Sequence, residues 1–183
     1  MGAGKSLVET QYILGTLEEG RMILIKARVA SSAKRFSIDL TCSNGDIAFH
    51  FNPRFDESPP LVVCNTWTYM WWKAERTSRL PFRKGESFEM TITVRSAYYV
   101  VSVNGKHFLR YEHRLPYHTV KKLEFRGDIS VEEVIQPSEK GPPPADEKTA
   151  ATWDLPPANA NTTATMAPRP LLGPRSPATS STA

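Results

Sequence analysis

Runs of β-branched and aromatic residues recur along the first 140 residues, separated by turn residues, and in several of them apolar and polar positions alternate with the two-residue period of half-buried β-strands. The clearest case is RFSIDLTC at 35–42, in which Phe36, Ile38 and Leu40 share one face. Successive side chains of a strand point to opposite faces, so this pattern predicts a strand buried on one side. Alternation also predicts strands over 47–52 and 87–96, and continuous apolar runs between turn residues predict strands over 22–30, 61–65, 98–103 and 107–113 and two more on either side of Gly127-Asp128 within 122–135.

Two of the connections carry a strong hairpin signal. The segments SNGD at 43–46 and NGK at 104–106 each contain Asn-Gly, the pair that two-residue hairpin turns favour. No convincing amphipathic helical period is present in the sequence. Many short strands with turns at fairly regular intervals predict an all-β fold, an antiparallel sandwich of two sheets.

The composition changes near Pro137, at the end of the strand-rich region. From Gly141 onward, 43 residues hold nine of the fifteen prolines, and Ala, Thr and Ser fill most of the rest. Such a segment cannot bury enough apolar surface to offset its conformational entropy. We therefore predict a flexible N-terminus over 1–9, one domain over 10–136 and a Pro/Ala/Thr-rich disordered tail over 137–183.

Charge and cysteine content argue against several classes of protein. The chain has 23 Lys and Arg against 19 Asp and Glu, without the basic stripe of a nucleic-acid binder. Cys42 and Cys64 allow at most one disulfide, and we predict that both are free thiols. No Cys/His spacing resembles a metal site, so neither a metal nor a cofactor is expected.

The N-terminus MGAGKSLVET lacks the apolar run of a signal peptide, and nothing elsewhere approaches a membrane span. GAGKS lacks the leading glycine and the preceding strand of a phosphate-binding loop. MGAGKS fits the myristoylation pattern through Gly2 and Ser6, so a modified start and a plain flexible start both stay open.

The stretch AFHFNPRFD at 48–56 carries polar side chains that a buried strand does not need. Alternation predicts a core face formed by Ile47, Phe49 and Phe51. The opposite face is then expected to carry Ala48, His50 and Asn52, followed by Arg54. The strand therefore presents an imidazole, an amide and a guanidinium in one row.

More polar and aromatic residues follow the next connection. Asn65 ends the predicted strand 61–65 and joins the row if the two strands are neighbours. Trp72 and Glu75 lie within TWTYMWWKAER at 66–76, which contains three of the four tryptophans. Directional hydrogen-bonding groups beside an indole suit a sugar, because hydroxyls need aligned partners and the C–H face of a pyranose can lie against an aromatic ring.

These segments resemble the galectins, a family of β-galactoside-binding lectins with the pattern H-x-N-P-R, then V-x-N, then W-G-x-E-x-R. The chain has HFNPR at 50–54, VCN at 63–65 and WKAERT at 72–77, in the same order. The resemblance spans roughly residues 10–135. It implies a jelly-roll-like sandwich and calcium-independent binding.

The resemblance also implies a role for each position. The three polar side chains of the first motif would hydrogen-bond the axial 4-hydroxyl of galactose and select it over glucose. Asn65 would take the 6-hydroxyl, and Trp72 would stack on the face of the galactose ring. Glu75, braced by Arg54, would reach the adjoining glucose or N-acetylglucosamine.

The third motif departs from the family pattern. Lys73 stands in place of glycine and Thr77 in place of the second arginine, while Arg76 comes one position early. On a regular strand Arg76 points away from the face of Glu75. We therefore expect the second sugar to be held more weakly or differently.

A lectin without enzymatic activity is the preferred function, and two alternatives stay open. A glycoside hydrolase needs two carboxylates flanking one bond. Glu75 has no acidic partner in its motif, although Asp56 and Glu57 lie in a loop that could be nearby. A protein-interaction module that has lost sugar binding is the alternative that Lys73 and Thr77 favour.

The expected partners are β-galactoside glycans of glycoproteins and glycolipids. The tail is predicted either to assist self-association, which makes one weak site per chain useful on clustered glycans, or to be passive. The resemblance implies a cytoplasmic protein that also reaches the extracellular space without a signal peptide.

Overall fold

The computed structural model describes residues 8–69, 74–77 and 79–138. The predicted tail lies outside these residues from position 139 onward, as do Gly2, Trp72 and Lys73, so the predictions made for them stay predictions. Within the described ranges, no helix is long and apolar enough to cross a membrane.

Among the residues that the structure describes, the strands form two antiparallel sheets, which confirms the predicted fold class. Six strands form the first sheet, in the spatial order β1 (Glu9–Tyr12), β10 (Val120–Gly127), β3 (Phe36–Cys42), β4 (Ile47–Arg54), β5 (Leu61–Trp67) and β6 (Glu75–Thr77). Five strands form the second, in the order β11 (Ile129–Ile135), β2 (Met22–Val29), β7 (Ser87–Val94), β8 (Tyr98–Val103) and β9 (Lys106–Glu112). One turn of 3-10 helix, Tyr117–Thr119, precedes β10.

Every strand predicted from the sequence is present, with ends that differ by a few residues. β5 continues to Trp67, so Asn65 lies inside the strand and does not end it. Two short edge strands, β1 with four residues and β6 with three, were not predicted. A segment of that length is too short to show a convincing alternation.

The core lies between the sheets, and aromatic rings join the two layers. Phe49 of β4 stacks on Tyr99 and Tyr111 of the other sheet, with ring centroids 5.4 and 4.8 Å apart. The Tyr111 hydroxyl hydrogen-bonds the Thr66 hydroxyl of β5 at 2.7 Å. Burial raises the pKa of Tyr111 to about 12, so this hydroxyl stays protonated at neutral pH. The inner faces of β4 and β5 are thereby fixed, which also fixes their outer faces.

Two expectations about β4, those for Ile47 and Ala48, are wrong. Ala48, predicted on the polar face, belongs to the buried core together with Phe49. The pairing of β4 with β3 shifts register by one residue at this point, which marks a β-bulge. The bulge interrupts the alternation of the two faces along β4. Ile47, predicted to face the core, is therefore not part of the core cluster, and it pairs with Thr41 and Trp67 in the neighbouring strands.

The two cysteines are free, as predicted. Burial raises the pKa of both the Cys42 and the Cys64 thiols. Both therefore stay neutral at physiological pH and pack as small apolar side chains.

Candidate functional site

The polar residues of the first motif lie side by side on the outer face of β4. His50, Asn52 and Arg54 alternate there with side chains that face the core, such as Phe51. Asn65 of β5 stands directly opposite His50 in the register. Such opposed residues have Cβ atoms about 5 Å apart. The structure thus gathers four of the six predicted site residues, His50, Asn52, Arg54 and Asn65, into one group, which we name the polar patch.

The imidazole of His50 is oriented by a buried carboxylate. Its Nδ1 lies 2.6 Å from Oδ1 of Asp39, the residue opposite it on β3. Asp39 is 1% exposed, and its Oδ2 accepts a hydrogen bond from the Ser37 hydroxyl. A carboxylate only accepts, so Nδ1 carries a proton and donates to Asp39, and in the neutral tautomer that this contact selects, Nε2 is the acceptor.

The amide of Asn52 is held at both ends. Its Nδ2 donates to the carbonyl oxygen of Phe36 at 2.7 Å, and its Oδ1 accepts from Nε of Arg54 at 2.9 Å. Nη1 of Arg54 donates in turn to Oε1 of Glu57 at 3.2 Å. In this structure Glu57 therefore forms the ion pair with Arg54 that the family resemblance assigned to Glu75.

The loop after β4 contains a second carboxylate, Asp56, that is bound by an arginine, Arg35. Nε of Arg35 donates to both carboxylate oxygens of Asp56, at 2.8 and 3.1 Å, and its Nη2 lies 3.5 Å from Oε1 of Glu57. The hydrogen bond from Arg35 lowers the pKa of the Asp56 carboxyl. A general acid needs a raised pKa, so Asp56 is unsuited to that role in glycoside hydrolysis.

Asn65 is oriented by a residue that lies far away in the sequence. Its Oδ1 accepts hydrogen bonds from the backbone N–H of Thr66 at 2.9 Å and from Nη1 of Arg114 at 3.2 Å. Nη2 of the same arginine donates to Oε1 of Glu75 at 2.6 Å. With Oδ1 used twice, Nδ2 is the group that Asn65 can offer to a ligand.

Glu75 is linked to the polar patch through Arg114, which donates to both Glu75 and Asn65, and not through the register of the sheet. It pairs in the register with Cys64, whose side chain belongs to the core, whereas Arg76 pairs with Val63. Opposed residues of an antiparallel pair share one face, so the register does not put Glu75 in the row of Asn52 and Val63. Glu75 instead lies at the sheet edge with its side chain 50% exposed and held by Arg114.

The supporting roles of three residues could not be read from the site motifs. Asp39 offered a signal, because a charged residue at an interior position of an apolar strand needs a partner. Glu57 and Arg114 offered none, since the first acts across a loop and the second bonds Asn65 from 49 positions away. Within the described ranges, no group of three or more His, Cys, Asp or Glu side chains could hold a metal ion.

Proteins of known identity are similar to this chain in sequence and structure. Residues 9–136 match a family profile described as "Galactoside-binding lectin". Galectin-12 of Homo sapiens is 41% identical over 128 residues, which make up 67% of this chain and 38% of that protein. Galectin-4 of Rattus norvegicus is 33% identical over 176 residues, which make up 90% of this chain and 53% of that protein. The chain therefore spans about half the length of these relatives, or less.

A solved structure agrees with the sequence relatives. The crystal structure of the Caenorhabditis elegans galectin LEC-6 superposes with a TM-score of 0.64 and 26% sequence identity. The similarity covers 72% of this chain and 90% of that one. The sandwich described above is therefore the same fold.

Proposed function

The chain belongs to the galectins, the family of galactoside-binding lectins, and we propose that its polar patch binds the galactose ring of β-galactosides. The observation that carries this proposal is the alternating row on β4, in which each polar side chain is already held by a neighbour. A site ordered before the ligand arrives loses little side-chain entropy on binding.

The three side chains of β4 supply a matched set of donors and acceptors for one hydroxyl. Nε2 of His50 accepts a hydrogen bond, while the N–H groups of Arg54 that Asn52 and Glu57 do not use can donate one. An axial 4-hydroxyl projects from the sugar ring and both accepts and donates. In glucose this hydroxyl is equatorial, which would leave the same groups unpaired.

The remaining contacts extend the proposal to the rest of a disaccharide. Nδ2 of Asn65 is the donor for the 6-hydroxyl, and the family pattern assigns Trp72 to the face of the galactose ring. The register of β6 and the Arg114–Glu75 ion pair support a second sugar that is held less strongly than the first. The patch offers mainly nitrogen groups, whereas Ca²⁺ prefers oxygen ligands, which supports calcium-independent binding.

Lactose and cellobiose provide the test of this proposal. The two disaccharides differ only in the configuration of the 4-hydroxyl on the terminal sugar. We expect lactose to bind on the order of 100-fold more tightly, because cellobiose leaves buried polar groups without partners. Isothermal titration calorimetry, with and without a calcium chelator, measures the difference.

Two results of that titration would count against a galactoside lectin. Equal affinity for lactose and cellobiose would mean that the patch does not read the 4-hydroxyl. A folded protein that binds neither sugar would favour the protein-interaction module.

Arg114→Gln is expected to weaken binding of methyl β-galactoside by about fivefold, because Asn65 loses the partner that keeps Nδ2 turned outward. The matched ligand is the 6-deoxy analogue, methyl β-D-fucoside, which lacks the group that Nδ2 would contact. For that ligand the variant and the wild type should bind alike. Calorimetric titrations of both proteins with both sugars form a double cycle, and an equal loss for the two sugars would contradict the role given to Asn65.

A further inference from the structure

A cleft separate from the polar patch lies where the chain passes from β6 to β7. Its volume is about 450 Å³, and none of the four patch residues lines it. The segment 79–83 forms one wall, and the ends of β7, β8 and β9 form the other. The cleft therefore opens at the ends of three neighbouring strands of the five-stranded sheet.

The floor of the cleft is aromatic. Phe82 and Phe88 are 4% and 6% exposed and meet edge to face, with ring centroids 4.6 Å apart. Both also pack on Phe36 in the core, at 5.4 and 5.8 Å. Phe108 of β9 extends this floor and stays partly exposed. Fixed apolar surfaces of this kind are typical of small-molecule sites.

The rim of the cleft is cationic. Arg79, Arg83 and Lys106 line it together with one carboxylate, Glu86, which lies 4.0 Å from Arg83. The guanidinium of Arg79 lies over the Phe108 ring, 5.5 Å from its centroid, so a positive charge is held at the Phe108 end of the aromatic floor. Among the described residues, no carboxylate forms an ion pair with Arg79 or Lys106.

We propose that this cleft binds an organic anion with an aromatic or short aliphatic body. The apolar body lies against the phenylalanine floor, and the sulfonate, carboxylate or phosphate group lies between Arg79 and Lys106. A neutral sugar would make no use of the excess positive charge, and an inorganic anion would make no use of the floor. The ligand class therefore follows from the two features together, and it does not depend on galactoside binding.

Two fluorescent probes separate the contributions of charge and apolar contact. 8-Anilinonaphthalene-1-sulfonate carries the anionic group, and N-phenyl-1-naphthylamine has the same aromatic body without it. Titrations of the full chain with and without lactose show whether the sugar and the probe compete for one site, and we expect the same probe affinity in both. We expect the sulfonate probe to bind about tenfold more tightly than the neutral one, and its affinity to fall as salt is raised.

Matched double variants locate the binding site. The variant R79Q/K106Q removes the two rim charges, and we expect it to weaken binding of the sulfonate probe about tenfold. The variant K84Q/R110Q removes the same charge from exposed positions that do not line the cleft, and should bind like the wild type. Equal weakening in both double variants, or equal affinity for the two probes, would overturn the proposal. Thermal unfolding of each variant shows whether the fold is intact.

Discussion

Arg54→Ala is expected to weaken lactose binding by about 100-fold or more, the largest effect of any single change in the polar patch. The guanidinium orients the Asn52 amide through Nε and forms an ion pair with Glu57 through Nη1, and its other N–H groups can donate to the sugar. Alanine removes the donor to the sugar and leaves Oδ1 of Asn52 without the partner that orients it. Calorimetric titration with lactose measures the loss.

Two matched variants show whether the loss is specific to the guanidinium. Arg54→Lys keeps the positive charge but cannot contact Asn52, Glu57 and the sugar at once, so we expect it to lose more than tenfold. Arg110→Ala removes a guanidinium from the other sheet, where it lies over the Tyr98 ring, and should leave binding unchanged. Lactose binding by Arg54→Ala within about threefold of the wild type would show that the polar patch is not the galactose site.

The two-residue period explains why so much of the fold could be predicted from the sequence. Each long strand buries one face against the other sheet, so apolar residues are needed at alternate positions of the strand. The same period places His50, Asn52 and Arg54 on one outer face. Two Asn-Gly turns then fix which strands are neighbours in sequence and in space.

The features that could not be predicted depend on contacts between distant segments. The bulge at Ala48 is a feature of the pairing between β4 and β3, and nothing in the local sequence indicates it. The register of β6 is set by pairing with β5 at the edge of the sheet, and its three residues carry no periodicity. Arg114 lies after the last residue of β9 in the chain. It contacts Glu75 of the other sheet, because the two sheets face each other.

Gly127→Ala is expected to reduce the free energy of unfolding by about 3 kcal/mol, the largest stability effect that we predict for a surface position. Gly127 has φ +86°, and a Cβ built on it would lie 2.5 Å from the carbonyl oxygen of Arg35 and 3.0 Å from Cα of Phe36. Both contacts are with backbone, so relief requires β10 to move away from β3. Chemical denaturation measures the change.

Gly45→Ala is the matched control for this substitution. Gly45 has φ +90°, yet a Cβ built there has nothing within 4 Å. It should therefore cost only the penalty of a left-handed backbone, about 1 kcal/mol. Equal destabilisation by the two substitutions would show that the close approach of the strands contributes nothing.

The position of Gly127 also links stability to the polar patch. Gly127 pairs with Phe36, and the carbonyl oxygen of Phe36 is the acceptor that holds Nδ2 of Asn52. Moving β3 to make room for a methyl group would shift that acceptor and release the Asn52 amide. We therefore expect the folded Gly127→Ala protein to bind lactose more weakly, whereas Gly45→Ala should keep its affinity. Calorimetric titration with lactose well below the unfolding temperature separates this effect from the loss of folded protein. Unchanged affinity in Gly127→Ala would show that the Phe36 carbonyl does not position the site.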